Sequence, residues 1–176
     1  DAGEQRETEL TRRETRMKAQ QEKLQYLSYR DALTNLYNRN RYMNVLENYS
    51  QNKGQLIRNV GVVYMDLNEL KKVNDEQGHE AGDSYIRRAA QQIVAVFPEH
   101  TYRIGGDEFV IRLNNATEQD TKECMQRVKE ALAAADKKTD IPISAAMGYA
   151  WSDAPDKDTE KLLQNADAQM YENKQM

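Results

Sequence analysis

One cysteine, no apolar run near the length of a membrane span and no excess of positive charge set the first limits on this 176-residue chain. Cys124 alone cannot close an internal disulfide, and its place in a helical pattern with Met125 and Val128 points to a packed thiol in a reducing compartment. A span needs about 18 consecutive apolar residues, which occur nowhere, and nothing at the start resembles a signal peptide. The piece reads as soluble and cytoplasmic. A net charge of -4 leaves no basic field for a nucleic-acid backbone, so a phosphate ligand has to be held by local groups or a metal. Internal repeats and low-complexity segments are missing as well. The chain opens on Asp1, without methionine, in a charged segment, which points to a part excised from a longer protein.

What is present suits one globular domain with an appended helix. Residues 1–28 carry few strong apolar positions beyond Leu10, Met17, Leu24 and Leu27, a sparse heptad seam on a helix roughly 40 Å long at ~1.5 Å per residue. It is either a weak coiled coil or a solvated single helix. Residues 31–39 read as a break, after which Tyr42, Val45, Leu46 and Tyr49 mark a short helix, and residues 50–59 a polar connection. Val60-Gly61-Val62-Val63-Tyr64-Met65 is a continuous apolar run expected to form a buried central strand, with Asp66 directly after it. Tyr85, Ala89, Ile93 and Phe97 recur every four residues from Ala81 and predict a helix stopped near Pro98. Two short strands, residues 101–104 and 109–113, flank Gly105-Gly106-Asp107-Glu108 as a hairpin. Thr117-Glu118-Gln119-Asp120 resembles a capping box opening a helix on Met125, Val128, Leu132 and Ala135. Ile141, Ile143, Ala145, Met147 and Tyr149 alternate as a strand does. After an acidic loop over residues 153–158, Leu162, Leu163, Ala166 and Met170 mark a last helix. Strand, helix, strand, strand, helix, strand is the split order of a ferredoxin-like α/β fold, a central, mostly antiparallel sheet flanked by helices.

Two acidic positions carry the chemistry, Asp66 after the first strand and Asp107-Glu108 in the hairpin turn. In a ferredoxin-like sheet those strands can lie side by side, so their carboxylates would converge. Oxygen-only ligands on a rigid edge suit Mg²⁺, whereas converging carboxylates without a cation would repel. Gly105 and Gly106 would leave backbone amides open to a nucleotide. Residues 66–83 form a dense polar stretch with glycines at 78 and 82, expected to wrap a ligand.

At this point the chain resembles the GGDEF family of diguanylate cyclases. Gly105-Gly106-Asp107-Glu108-Phe109 is the complete signature, and residues 66–83 follow the family pattern Asp-x-Asp-x-Phe-Lys-x-x-Asn-Asp-x-x-Gly-His-x-x-Gly-Asp. Asp31-Ala32-Leu33-Thr34-Asn35-Leu36-Tyr37-Asn38-Arg39 and the closing Ala166-Asp167, Tyr171 and Lys174 also match. The resemblance covers residues 31–176 and leaves residues 1–30 as a helical signalling linker. It implies a nucleotide-cyclase version of the ferredoxin-like fold that condenses two GTP into cyclic di-GMP and two pyrophosphates. It also implies Mg²⁺ or Mn²⁺ held by Asp66, Asp107, Glu108 and the Leu67 carbonyl. Asp107 and Glu108 would be catalytic, Asn74 and Asp83 would bind guanine, and Lys71 and Lys174 would face phosphates. Gly105 and Gly106 would border the nucleotide, with His79 either in the pocket wall or stabilising a turn. Because each domain is expected to hold one GTP, the active form would be a homodimer meeting through the catalytic face, aided by the amino-terminal helix. An upstream sensory domain would belong to the parent, free or membrane-anchored with this domain on the cytoplasmic side; no nucleic-acid partner is expected.

Three departures accompany the match. Val96-Phe97-Pro98-Glu99 stands where many members carry Arg-x-x-Asp, so product inhibition there is not expected. Asn68 and Leu70 replace an aspartate and a phenylalanine without removing an expected ligand. The family continues past Lys174 with a Gly-Arg-Asn segment whereas this sequence stops at Met176, so weaker GTP binding than in the parent is expected. Two other readings stay open, a degenerate domain signalling through protein contacts and a nucleotidyl cyclase or polymerase-palm enzyme using another nucleotide.

Overall fold

The computed structural model describes residues 1–51, 58–135, 142–153 and 159–175. Helix α1, Ala2–Tyr29, begins with the Asp1 carboxylate accepting from the Gly3 amide at 3.2 Å and buries none of its residues. Leu10, Met17, Leu24 and Leu27 are all more than half exposed, so the seam lies open along the rod. Next come β1 (Tyr37–Asn38), α2 (Arg39–Gln51), β2 (Val60–Leu67), α3 (Leu70–Gln77) and α4 (His79–Val96). The chain continues through β3 (Thr101–Arg103), β4 (Glu108–Leu113), α5 (Glu118–Ala135), β5 (Ala145–Ser152) and α6 (Thr159–Gln175).

The sheet order is β1-β3-β4-β2-β5, antiparallel except for the β1–β3 edge pair. Without β1 this is the ferredoxin-like arrangement, with β2 central and β4 and β5 on either side. Its two faces are covered separately. Val63, Met65, Leu67, Phe109 and Ile111 pack with α4 and α5 through Tyr85, Ile93, Cys124, Val128 and Leu132. Val60, Val62, Tyr64 and Val110 pack with α2 and α6 through Tyr42, Leu46, Leu162, Ala166 and Met170. Burial on both faces explains why β2 reads as unbroken apolar sequence. Arg112 breaks the pattern, 1% exposed on the α2–α6 face with its charge near the Tyr42 hydroxyl.

Glycines mark where helices approach the sheet most closely. A Cβ on Gly61 would stand 2.0 Å from the Thr121 hydroxyl oxygen of α5, and one on Gly148 would stand 2.2 Å from the Met170 amide nitrogen of α6. The expected capping box holds α5 in place: the Asp120 amide donates to Thr117 Oγ1 and the Thr117 amide to Asp120 Oδ2, both at 3.0 Å.

Four expectations are corrected. Asp66 does not follow the strand but lies inside β2, paired across to Glu108 and Ala146, because the ladders on both sides continue to that level. The polar stretch after it is not all loop, since Leu70–Gln77 forms α3 and α4 already begins at His79. Gly78, at φ 92°, joins the two, and its amide bonds the Asn74 carbonyl at 2.9 Å. Only Val73 is buried on α3, too little apolar signal to reveal a helix. The break at residues 31–39 contains β1, and β5 starts at Ala145, with Ile143 buried just before it. Ile141, most of the 50–59 connection and residues 154–158 lie outside the described residues. No described helix is long and apolar enough to cross a membrane.

Candidate functional site

Strand register brings the acidic residues together. Because Asp66 is directly opposite Glu108, both side chains leave the same face of the sheet, and Asp107 precedes Glu108 in the turn. The Leu67 amide donates to the Asp107 carbonyl at 2.8 Å, tying the turn to the end of β2. Asp66, Asp107 and Glu108 each offer an oxygen within 4.8 Å of the others.

Charge is poorly balanced at this point. Lys174 Nζ, from α6, reaches Asp66 Oδ2 at 3.2 Å, while Asp66 Oδ1 is buried and accepts no hydrogen bond. Burial, then the close approach and charge of the Asp66 carboxylate, then the charge of Glu108 push the Asp107 carboxyl above its ordinary value. A buried carboxylate oxygen without a donor, beside two more carboxylates, is the environment of a hard cation with oxygen ligands. The residues therefore fit a divalent metal.

The turn itself is held from outside. Arg103 donates through Nη2 to the Gly106 carbonyl at 2.8 Å and through Nη1 to both Asp31 oxygens at 3.0 Å. Asp31 also accepts from the Thr34 amide and hydroxyl at 2.8 and 2.7 Å. Burial alone would raise the Asp31 carboxyl, but the Thr34 bonds and Arg103 outweigh it and hold it below its ordinary value. Such a group stabilises the fold above its unfolded value of 3.8 and loses that contribution as pH falls through the lower folded value. We expect Asp31→Asn to cost ~2 kcal/mol at pH 7, the scale of a partly buried charged hydrogen-bond pair. The deficit should shrink below pH 4 in urea titrations; a deficit independent of pH would refute the ion pair as its source.

Beside the acids lies a cleft of about 730 Å³ lined by Leu67, Asp107, Ser144, Lys174 and residues of α3, Lys71 among them. Tyr85 donates to the Asn68 carbonyl at 2.5 Å and Asn68 donates to both the carbonyl and the hydroxyl of Ser144, which ties these two lining residues together. The structure thus brings Lys71, Lys174, Leu67 and Asp107 into one cleft. Asp66, Asn74, His79, Asp83, Gly105, Gly106 and Glu108 do not line it. Asn74 and Asp83 are half-buried where α3 meets α4, and the Asn74 side chain lies so close to Gly82 that a Cβ there would overlap it. His79 is exposed at the start of α4.

Gly105 has a different reason from the one expected. Its amide is engaged by the Glu108 carbonyl at 3.4 Å, and a Cβ would come 2.9 Å from Glu108 Oε2. Gly106 has open space around its α-carbon. Sequence reasoning missed Arg103, Ser144 and Tyr64, whose hydroxyl donates to Glu108 Oε2 at 2.7 Å. For Tyr64 a signal existed, since it stands two residues before Asp66 in a strand and must share its face.

Comparison with known proteins agrees with this geometry. The family model described as diguanylate cyclase, GGDEF domain, matches residues 28–176. The chain is 31% identical to the cyclic di-GMP phosphodiesterase PdeR of Escherichia coli over 88% of its own length and 24% of that protein. It is 29% identical to the E. coli diguanylate cyclase DosC, over 80% of its length and 32% of that protein. The chain thus spans a third or less of these curated relatives. Among solved structures, the coiled coil and GGDEF domain of Caulobacter crescentus DgcB, in complex with c-di-GMP, superposes with TM-score 0.85 at 22% identity, covering 99% of this chain and 95% of that one. The GGDEF domain of Pseudomonas aeruginosa TpbB (YfiN) gives 0.70 at 27% identity, covering 83% and 88%. With the signature turn, the paired acids and a match over residues 28–176, the chain belongs to the GGDEF domain family.

Proposed function

We propose that this domain condenses two GTP molecules into cyclic di-GMP, releasing two pyrophosphates. The observation that carries the reading is the buried, undonated Asp66 oxygen inside a cluster of three carboxylates, one of which, Asp107, lines a cleft with Lys71, Lys72 and Lys174. Asp66, Asp107, Glu108 and the Leu67 carbonyl would hold Mg²⁺ or Mn²⁺, which when bound supplies charge neutralisation for the transferring phosphoryl group. Lys71 and Lys174 bind the phosphate oxygens. Lys174, half-exposed on Asp66, needs only a small swing to do so. Asn74 and Asp83 take the guanine edge, where a carboxylate acceptor matches two neighbouring donors that adenine lacks. Asp107, beside the reacting groups, would accept the proton of the attacking 3′-hydroxyl.

The matches to PdeR and DosC leave about three-quarters and two-thirds of those proteins outside the comparison, so neither name by itself assigns an activity to this stretch. Incubation with GTP or ATP and Mg²⁺, with products identified by mass spectrometry, tests the reading. Cyclic di-GMP from GTP alone supports it; no cyclic dinucleotide from a dimeric sample, or mixed adenine products, rejects it.

Two 3′-hydroxyls must each attack the other nucleotide, so two domains face each other across a two-fold axis. The open seam of α1, a linker outside the cyclase domain, adds to that dimer. Removing residues 1–28 is expected to weaken dimerisation at least tenfold in analytical ultracentrifugation and to lower specific activity at low protein concentration. Unchanged values for both would exclude the helix from assembly.

A further inference from the structure

Resting on the metal reading above, we infer that Tyr64 is a positioning residue for the acidic cluster, its hydroxyl setting which oxygen of Glu108 is presented to the cation. The register makes the contact possible. Tyr64 pairs with Val110 and Asp66 with Glu108, so the tyrosine ring lies diagonally one step along the ladder from the glutamate, on the same face. Its side chain is 7% exposed and packed among the residues under α2 and α6, which leaves the ring little freedom.

A phenol that deep needs an acceptor, and it finds Glu108 Oε2 at 2.7 Å. Gly105 closes the other side, its bare α-carbon admitting the carboxylate where a Cβ would stand 2.9 Å from Oε2 and 3.1 Å from Cδ. Glu108 is therefore clamped between a hydroxyl and a glycine. One oxygen is occupied and the other is left to the cluster. Without the hydroxyl, repulsion from Asp66 and Asp107 would turn the glutamate outward, because no other described side chain donates to it. Hydrogen bonds of this second rank orient metal ligands and commonly change affinity by about 10-fold to 100-fold when lost.

The test is Mn²⁺ binding to the nucleotide-free protein, by the electron paramagnetic resonance signal of free Mn²⁺, in wild type, Tyr64→Phe, Glu108→Gln, the double variant and Asp107→Ala. Phenylalanine keeps the ring. We expect Tyr64→Phe to weaken Mn²⁺ binding about 10-fold and to raise the Mg²⁺ concentration for half-maximal activity equally, with the KM for GTP at saturating Mg²⁺ within about twofold. In the Glu108→Gln background the same change should have no further effect on Mn²⁺ binding. Wild-type affinity in Tyr64→Phe, alongside lost binding in Asp107→Ala, overturns the role of Tyr64 alone. A full Tyr64→Phe effect persisting in Glu108→Gln also overturns it. Undiminished binding in Asp107→Ala overturns the metal reading and this inference with it.

Discussion

Asp107→Ala is expected to lower cyclic di-GMP synthesis by roughly 10³-fold or more, the scale of removing a group that stabilises charge where the reaction develops it, while the metal-free protein becomes more stable at neutral pH. The two outcomes share one cause. Burial and the neighbouring Asp66 and Glu108 raise the Asp107 carboxyl above its ordinary 3.8, so the folded state disfavours the ionised form. For a carboxylate shifted upward, no stability is lost below the unfolded value; the loss grows as pH rises from 3.8 to the folded value and then stays constant. In EDTA, the thermal midpoint of the variant should therefore exceed that of wild type by a margin that opens across that interval. Adding Mg²⁺ should reverse the order by stabilising only the wild type. The backbone bond from the Leu67 amide to the Asp107 carbonyl survives the substitution, so the turn remains tied to β2. Activity near the wild-type rate, or a variant less stable in EDTA at pH 7, would contradict the assignment.

Gly148→Ala is the second large effect, and it acts at a distance from the acids. A Cβ on Gly148 would stand 2.2 Å from the Met170 amide nitrogen and 2.4 Å from the Ala166 carbonyl oxygen, both backbone atoms of α6. Backbone of a helix cannot rotate aside as a side chain can, so α6 must move off the sheet. Overpacking of this kind costs about 3 kcal/mol, near the upper end of the usual range. Three contacts depend on the close approach: the Tyr149 amide to Gln169 Oε1 at 2.6 Å, Asn173 Nδ2 to the Met147 carbonyl at 2.7 Å, and Lys174 to Asp66 at 3.2 Å. The last would be drawn away from the cleft. Urea unfolding should show the lost stability, and activity per folded molecule should fall several-fold as KM for GTP rises. Gly106→Ala, with open space at that position, should change stability by less than about 0.5 kcal/mol. Equal stability of the Gly148 variant and wild type would mean that α6 packs farther out.

The elements that announced themselves were those with a strong period or a strong stop. β2 appeared as an apolar run because it is covered on both faces, and α4 appeared through apolar residues every four positions before Pro98. The capping pair at Thr117 and Asp120 formed as its spacing implied. By contrast, α3 buries only Val73 and lies in a polar stretch, so its helical character comes from docking against α4, where Asn74 rests on Gly82. The two-residue β1 is too short to carry a period and exists because β3 offers it an edge.

The family, the order of the principal strands and helices and the identity of the acids were legible from the residues alone, because signature residues and hydrophobic periods are local properties of the chain. What holds those acids became visible only in the folded chain. Tyr64 meets Glu108 across 44 positions, Arg103 meets Asp31 across 72, and Lys174 meets Asp66 across 108. Contacts so distant in sequence depend on strand register and on how closely a helix approaches the sheet. Those are set by cross-strand pairing and by the absence of a Cβ at Gly61 and Gly148, where α5 and α6 leave no room for one.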